Sequence, residues 1–401
     1  MPRARSEAPL ASALSQAEAL LRAGHAAEAL TIYRTCLAAE PGNTDARYFG
    51  GIAALQSGDG EQAVEWLAAA AGALPSRADV ANNLGAAYRE TGRFDQAAEA
   101  FRRAATLDPN GADAHFNLGD TLRDLHRPED AAAAYRAAIQ ADPACLDAYI
   151  NFGVLLSGQR QHAAAAEMFK HALDLDPNRA AVHNNLGTAL LMTGDLDGAA
   201  AAYRNAVACR PDYAEAHASL GATLKELKRY PEAIEAFRHA LRLHPDFPAA
   251  RRGLGDTYLS RGDLENAERT YRQALDSQSG DAGLYDSLGD VLQRQGRHDE
   301  AAAIYRKVLE IDPHNPTALH FTAALQGKTT DAPPPDYVRD LFDDFAPRFE
   351  QTLIQDLGYD VPNLMRKTLE ALHNGKAAPA TFDRALDLGC GTGLGGGALK
   401  G

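Results

Sequence analysis

Two groups of residues in this sequence have types and spacings suited to chemistry. Towards the C-terminal end, Asp387-Leu388-Gly389-Cys390-Gly391-Thr392-Gly393 follows the apolar pair Ala385 and Leu386. An apolar, strand-like segment that ends on an acid and runs into G-x-G-x-G is a specific arrangement. Gly391, Gly393 and Gly396 also satisfy G-x-G-x-x-G, the turn that cradles a dinucleotide's phosphates. That register sets the first turn glycine four residues beyond Asp387, further along than a strand-to-helix turn wants. The second group is Asn83, Asn117, Asn151 and Asn185, which recur at a step of 34 residues, with Ser15, Ser219 and Ser287 at other steps of the same column. A side-chain amide offers both donor and acceptor. Four at a constant step could hold an extended peptide backbone with little demand on its sequence.

Other columns invite a stronger reading than they support. His115, His183 and His217 sit whole repeats apart. Packed helix axes lie about 8–10 Å apart, whereas Zn–N bonds are about 2 Å, so these histidines are expected to pack and no metal site is expected. Asp45, Asp79, Asp113, Asp147 and Glu215 fall in the first turn of the first helices of their repeats. A carboxylate there favours the helix dipole and the free N–H groups, which accounts for most of them. Cys36, Cys145, Cys209 and Cys390 are far apart and show no disulfide or metal spacing, so a reduced compartment is the simple reading.

The elements that must carry these residues follow from one period. Stepping by 34 residues gives prolines at 41, 75, 109, 143, 177, 211, 245 and 313, lapsing only at Ser279. The same step from Gly187 meets Gly51, Gly85, Gly119, Gly153, Gly221, Gly255 and Gly289, and from Ala199 it meets alanine in all nine copies, Ala29 to Ala301. An aromatic column runs Tyr33, Phe101, Tyr135, Phe169, Tyr203, Phe237, Tyr271 and Tyr305, broken by Leu67. Each unit reads as two amphipathic helices. Gly and Ala leave no bulk where the helices cross, and the aromatic is expected to fill the gap between one repeat and the next. Proline ends the second helix, and Gly24, Gly58, Gly92, Gly194, Gly262 and Gly296 mark the turn inside the unit. Neither helix buries its apolar stripe alone, so each unit needs its neighbours.

The period and columns resemble the tetratricopeptide repeat. The usual Trp at its fourth position is replaced by His115, Tyr149, His183, His217 and Tyr285. The resemblance implies an all-α, right-handed superhelical solenoid of nine 34-residue repeats over residues 10–315, after a tail at 1–9. A capping helix is expected at 316–328, then a Pro-rich linker at 329–336. Over 337–401 the period is lost, and the incomplete start of an α/β, Rossmann-like domain is expected.

In such a solenoid the first helices line the concave surface, where the asparagine column resembles the ladder of O-linked N-acetylglucosamine transferase repeats. That implies a protein or peptide partner on Asn83, Asn117, Asn151 and Asn185. A carboxylate clamp of the chaperone co-factor kind is not expected. Its positions hold Asn82, Phe116, Ile150, Asn184 and Ala218, while Arg89, Arg123 and Lys225 lie a turn further on and are expected to be solvated. The glycine cluster resembles motif I of the class I S-adenosylmethionine-dependent methyltransferases. It implies that Asp387 organises the loop and that Gly389, Cys390, Gly391, Thr392 and Gly393 form the S-adenosylmethionine site. Phe345 and Phe349, in a segment resembling the helices that fold over that cofactor, would line it or serve as helix core. The resemblance covers residues 337–401 and supplies one strand of a seven-stranded fold. Neither the acid that would hold the ribose nor a catalytic base has a counterpart, so the chain as written is expected to bind cofactor poorly and transfer no methyl group. The competing expectation is a non-enzymatic interaction scaffold.

The bulk composition narrows the partners. With 54 acidic against 40 basic residues the net charge is -14, which argues against nucleic acid. No signal peptide or apolar span is evident, so a cytoplasmic protein with no membrane contact is expected. Self-association of the repeats stays open.

Overall fold

The computed structural model describes the backbone of residues 4–325 and the side chains of 10–276 and 278–323. Within them the chain is helical throughout, with nineteen helices and no strand. The repeats are the pairs α1 (Ala4–Arg22) with α2 (Ala26–Ala39), α3 (Thr44–Gln56) with α4 (Gly60–Ala73), and α5 (Ala78–Glu90) with α6 (Phe94–Leu107). Next come α7 (Ala112–Asp124) with α8 (Pro128–Ala141), α9 (Leu146–Gly158) with α10 (His162–Leu175), and α11 (Ala180–Met192) with α12 (Leu196–Cys209). Then follow α13 (Ala214–Glu226) with α14 (Tyr230–Leu243), α15 (Pro248–Ser260) with α16 (Leu264–Ser277), and α17 (Ala282–Arg294) with α18 (His298–Ile311). A last helix, α19 (Pro316–Leu325), stands where a capping helix is expected. Helix α1 starts at Ala4, inside the stretch expected to be a tail, because its Ala, Arg and Glu residues favour helix. The linker at 329–336 and the segment 337–401 lie outside the described residues.

The chain divides into two compact units, Met1–Arg261 with α1 to α15, and Gly262–Gly401, whose described part is α16 to α19. In both units each helix packs on the next in chain order. In the first unit, consecutive first helices also touch, from α1 and α3 through to α13 and α15, a contact the second helices do not match. That array therefore bends towards its first helices, which form the concave side.

Helix α6 shows why the sequence folds this way. Ala97, Ala98, Phe101, Ala104 and Ala105 recur at helical spacing and are buried, while Asp95, Glu99, Arg102 and Arg103 face solvent. The helix stops where Asp108 N–H closes on the Ala104 carbonyl at 2.9 Å and Pro109 has no N–H to continue. It starts from a turn in which Gly92 takes φ +72 and Arg93 N–H reaches back to the Tyr88 carbonyl at 2.8 Å. This is the six-to-one bond that needs a left-handed residue. His126, Arg160 and Lys228 take the same conformation in three other repeats, at φ 56, 60 and 58.

The glycine and aromatic columns meet inside the third to seventh repeats and the ninth. A Cβ on Gly119 would lie 2.7 Å from the Tyr135 ring, and one on Gly153 2.6 Å from the Phe169 ring. The rings thus seat first on their own first helix, not only in the gap between repeats. Phe237 does both, since its ring also closes on Gly253 of the following repeat. Where the aromatic column lapses, Leu67 is fully buried against Gly51.

Candidate functional site: the first-helix face

The asparagine column lies half-buried on the first helices of the first unit. Asn83 Nδ2 donates to Tyr48 Oη at 3.0 Å, Asn117 Nδ2 to Asn82 Oδ1 at 3.1 Å, and Asn151 Nδ2 to Asp120 Oδ1 at 2.8 Å. Every acceptor is on the first helix of the preceding repeat. The amide nitrogens therefore tie neighbouring repeats together, and among the described residues no donor takes the Oδ1 of these three. Asn185 makes no such bond, and its neighbour Asn184 keeps Oδ1 buried without a donor.

Asp120, 7 % exposed, is a node the sequence reading missed. Its Oδ1 accepts from Tyr135 Oη at 2.6 Å as well as from Asn151, and its Oδ2 lies 3.4 Å from Arg89 Nη2. Asp124 pairs with Arg89 at 3.2 Å and with Arg123 at 3.4 Å, and Arg123 also lies 3.6 Å from Asp120. Two carboxylates and two guanidiniums thus neutralise one another across repeats. Arg89 and Arg123, expected to be solvated, keep 31 % and 34 % of their side chains exposed and are also held by these carboxylates. Lys225 is likewise taken by Glu226 at 3.3 Å. Burial, reinforced by the Asp120 hydrogen bond, pushes the Tyr135 phenol up, so it stays a donor. Sequence alone gave little signal: the column of Asp120 reads Ala86, Asp120, Val154, Thr188 and Ala222, with no constant residue type.

A smaller cluster stands one repeat earlier. Tyr48 Oη donates to Asp79 at 2.9 Å, and Arg77 pairs with Asp79 while lying over the Tyr48 ring at 4.5 Å. Burial and the Asp79 bond push the Tyr48 phenol up to about 12, and Arg77 holds the Asp79 carboxyl below its ordinary range. Asp79 thus does more than complement a helix dipole. Beside these clusters a cavity of about 680 Å³ opens, lined by Leu55, Ala86, Phe94 and Phe101 with Arg89 and Asn117. Further along, Val154 and Met192 are 43 % and 60 % exposed, with Ile150 and Leu191 half-buried beside them.

The histidine column packs. The Nε2 atoms of His115, His183 and His217 donate to the carbonyls of Pro109, Pro177 and Pro211 at 3.1, 2.9 and 3.0 Å, tying each first helix to the end of the preceding repeat. His217 also stacks on His239 at 5.1 Å, and burial pushes its pKa down. Among the described residues no group of three or more His, Cys, Asp or Glu side chains could hold a metal ion. No described helix is long and apolar enough to cross a membrane. Asp387, Gly389, Cys390, Gly391, Thr392 and Gly393, like Phe345 and Phe349, lie outside the described residues.

Helical hairpins of constant length, closed by a left-handed turn and stacked through Gly, Ala and aromatic columns, define a tetratricopeptide-repeat protein. The chain belongs to the family of the cilia and flagella-associated protein 70 C-terminal domain, whose model matches residues 110–321. Two general tetratricopeptide-repeat models match residues 20–87 and 85–125, and none of the three extends past residue 321. No curated protein matches the chain. Similar solved structures include the C-terminal part of a TPR repeat-containing protein from Cytophaga hutchinsonii, 14 % identical with a TM-score of 0.54 over 60 % of this chain and 99 % of that one. They also include YrrB, described as a TPR protein with an unusual peptide-binding site, at 25 % identity and a TM-score of 0.44 over 50 % and 99 % of the two chains. MamA is 26 % identical, with a TM-score of 0.39 over 40 % and 95 %. The first of these speaks to the fold.

Proposed function

We propose that the chain is an interaction scaffold that holds an extended polypeptide along the concave first-helix face. One observation carries this reading. Asn83, Asn117 and Asn151 each have Nδ2 fixed on a neighbouring repeat while Oδ1 takes no donor from the described chain. Fixed acceptors at a constant step suit the N–H groups of an extended backbone, and fixing them in advance lowers the entropy lost on binding. The column is thus a ladder of acceptors more than of full amides. Asn185 separates recognition from packing, since its side chain ties nothing among the described residues. Asn185→Ala should weaken the binding of short unstructured peptides, read by fluorescence anisotropy, and leave the melting temperature unchanged. Asn117→Ala should lower both, because the inter-repeat bond it loses contributes about 0.5–1.5 kcal/mol. Unchanged peptide binding in both variants would remove the ladder.

The glycine cluster supports a second reading, methyl transfer from S-adenosylmethionine to what the scaffold holds. Its support is the motif at Asp387 to Gly393. Asp387 would order the loop, and Gly389, Gly391 and Gly393 would let backbone approach the methionine moiety, with Cys390 and Thr392 between them. Calorimetric titration of S-adenosylmethionine into the full-length protein and its Asp387→Ala variant tests it. Saturable binding lost in the variant supports the reading, and no binding by the parent protein sets it aside.

A further inference from the structure

We propose that the polypeptide held on the concave face of the first unit is basic, with apolar side chains that seat on Val154 and Met192. This rests on the scaffold reading and adds the chemistry of the partner.

The apolar part of the argument is the floor of the groove. Val154, Thr188 and Ala222 occupy one column on α9, α11 and α13, three consecutive first helices that touch, and all three are exposed. Met192, one turn beyond Thr188 on α11, is the most exposed large apolar side chain among the described residues. An unbranched thioether adapts to varied apolar partners, and a floor of this kind gains by being covered.

The electrostatic part is the balance of charge along the groove itself. Of the cations on the first helices α3 to α13, Arg89 and Arg123 are used by Asp120 and Asp124 and Lys225 by Glu226, while Arg77, just before α5, is used by Asp79 and Arg47 of α3 stands in the column of His115. Asp45, Glu90, Asp113, Asp147 and Glu215 are exposed on the same layer and have no ion-pair partner among the described residues. The helix dipole explains why acids stand in first turns, but it applies equally to the second helices. There arginines answer many of the acids: Arg34 for Asp59, Arg93 for Glu61, Arg127 for Asp130, and Arg204 and Arg229 for Glu232. First-turn acids without an ion pair among the described residues stand in both layers, Asp95, Glu129 and Asp197 on the second helices included, but those on α3, α7, α9 and α13 stand in line along a groove with an apolar floor. Lysine and arginine side chains of a bound strand would complete those pairs. An acidic strand or a nucleic-acid backbone would be repelled.

The test uses the full-length protein and three unstructured, fluorescein-labelled peptides built from repeats of Lys-Val-Ser, Glu-Val-Ser and Lys-Gly-Ser. The Lys-Val-Ser peptide should bind, weakening as salt rises from about 50 to about 300 mM, with the other two about tenfold weaker or more. Neutralising the concave acids in Asp113→Asn/Asp147→Asn/Glu215→Gln should weaken it about tenfold and flatten the salt dependence. The matched second-helix variant Asp95→Asn/Glu129→Gln/Asp197→Asn removes equal charge from equivalent first turns and should bind as the parent does. Val154→Ser/Met192→Ser should lose affinity for Lys-Val-Ser but not for Lys-Gly-Ser. Equal loss in the second-helix variant would mean unspecific attraction by net charge and would overturn the inference. Glu-Val-Ser binding as tightly, and still losing affinity in Asn185→Ala, would overturn it while keeping the scaffold reading. Binding by none of the peptides would remove both.

Discussion

A methyl group at Gly153 would sit 2.6 Å from the ring of Phe169, which is 1 % exposed and has nowhere to retreat. Carbon atoms in good contact stand about 3.5–4.0 Å apart, so Gly153→Ala should cost about 1–3 kcal/mol by overpacking. Gly158 ends the same helix with nothing within 4 Å of its would-be Cβ. Gly158→Ala should be neutral or stabilise by up to about 1 kcal/mol, since alanine favours helix. Chemical denaturation of the two variants checks the contrast. Asp286 gives a pH signature of its own. Burial, with Asp290 adding to it, raises its pKa to about 6, and its Oδ1 is buried without a partner. A raised acid favours the fold most below its unfolded pKa, and that contribution is lost as pH rises through about 6. Stability should therefore fall between about pH 4 and 7 at this repeat, and Asp286→Asn should remove the fall and stabilise at neutral pH by on the order of 1 kcal/mol after allowing for solvent screening. Thermal melts of both proteins across that range would show it; parallel curves would rule it out. Residues of the repeating columns were legible in the sequence because the same contact recurs every 34 positions. Asp120 and Asp286 were not, because their environments are set by neighbours that change from repeat to repeat.

Each helical element is bounded by chemistry that sequence states openly, proline behind the second helix and glycine in the turn. The turn's requirement is nevertheless conformational and not compositional. His126, Arg160 and Lys228 close the same six-to-one bond as the glycines, with Arg127, Gln161 and Arg229 N–H reaching Leu122, Leu156 and Leu224 carbonyls at 2.8, 2.9 and 2.9 Å. A left-handed residue with a Cβ is disfavoured by about 1–2 kcal/mol, partly offset by the greater freedom glycine loses on folding. Arg160→Gly should thus stabilise the protein by somewhat under about 1 kcal/mol, read as a rise in the urea midpoint at unchanged slope. Gly92→Ala should shift the midpoint the other way. Helix limits could be read from the columns, but the ties between layers could not. The amide nitrogens of Asn83, Asn117 and Asn151 look outward on a helical wheel, and only the closeness of successive first helices turns them to the preceding repeat.

Across the whole molecule the sequence period runs through the boundary between the two units, which falls inside the eighth repeat at Arg261 and Gly262. Periodicity reports local hairpins and carries no term for how they group, so that division was not legible, whereas the repeating helical hairpins were. In a linear array each repeat draws stability from its own fold and its immediate neighbours, and an end must be covered. Helix α19 does this in the second unit. Asn315 Oδ1 caps it by accepting from Ala318 N–H at 2.9 Å, Ala318 is fully buried, and Phe321 stacks on Tyr305 at 5.0 Å. Beneath it lie Tyr305 and Val308, at 1 % and 0 % exposure. A chain ending at residue 315 would expose that surface, at about 2–3 kcal/mol per large side chain uncovered. Hydrogen exchange should then show lost protection in α17 and α18, while α3 to α13 exchange as in the parent, and the shortened chain should bind an apolar dye. A loss spread evenly over all repeats would mean that the array folds as one cooperative body and that nearest-neighbour accounting fails for it.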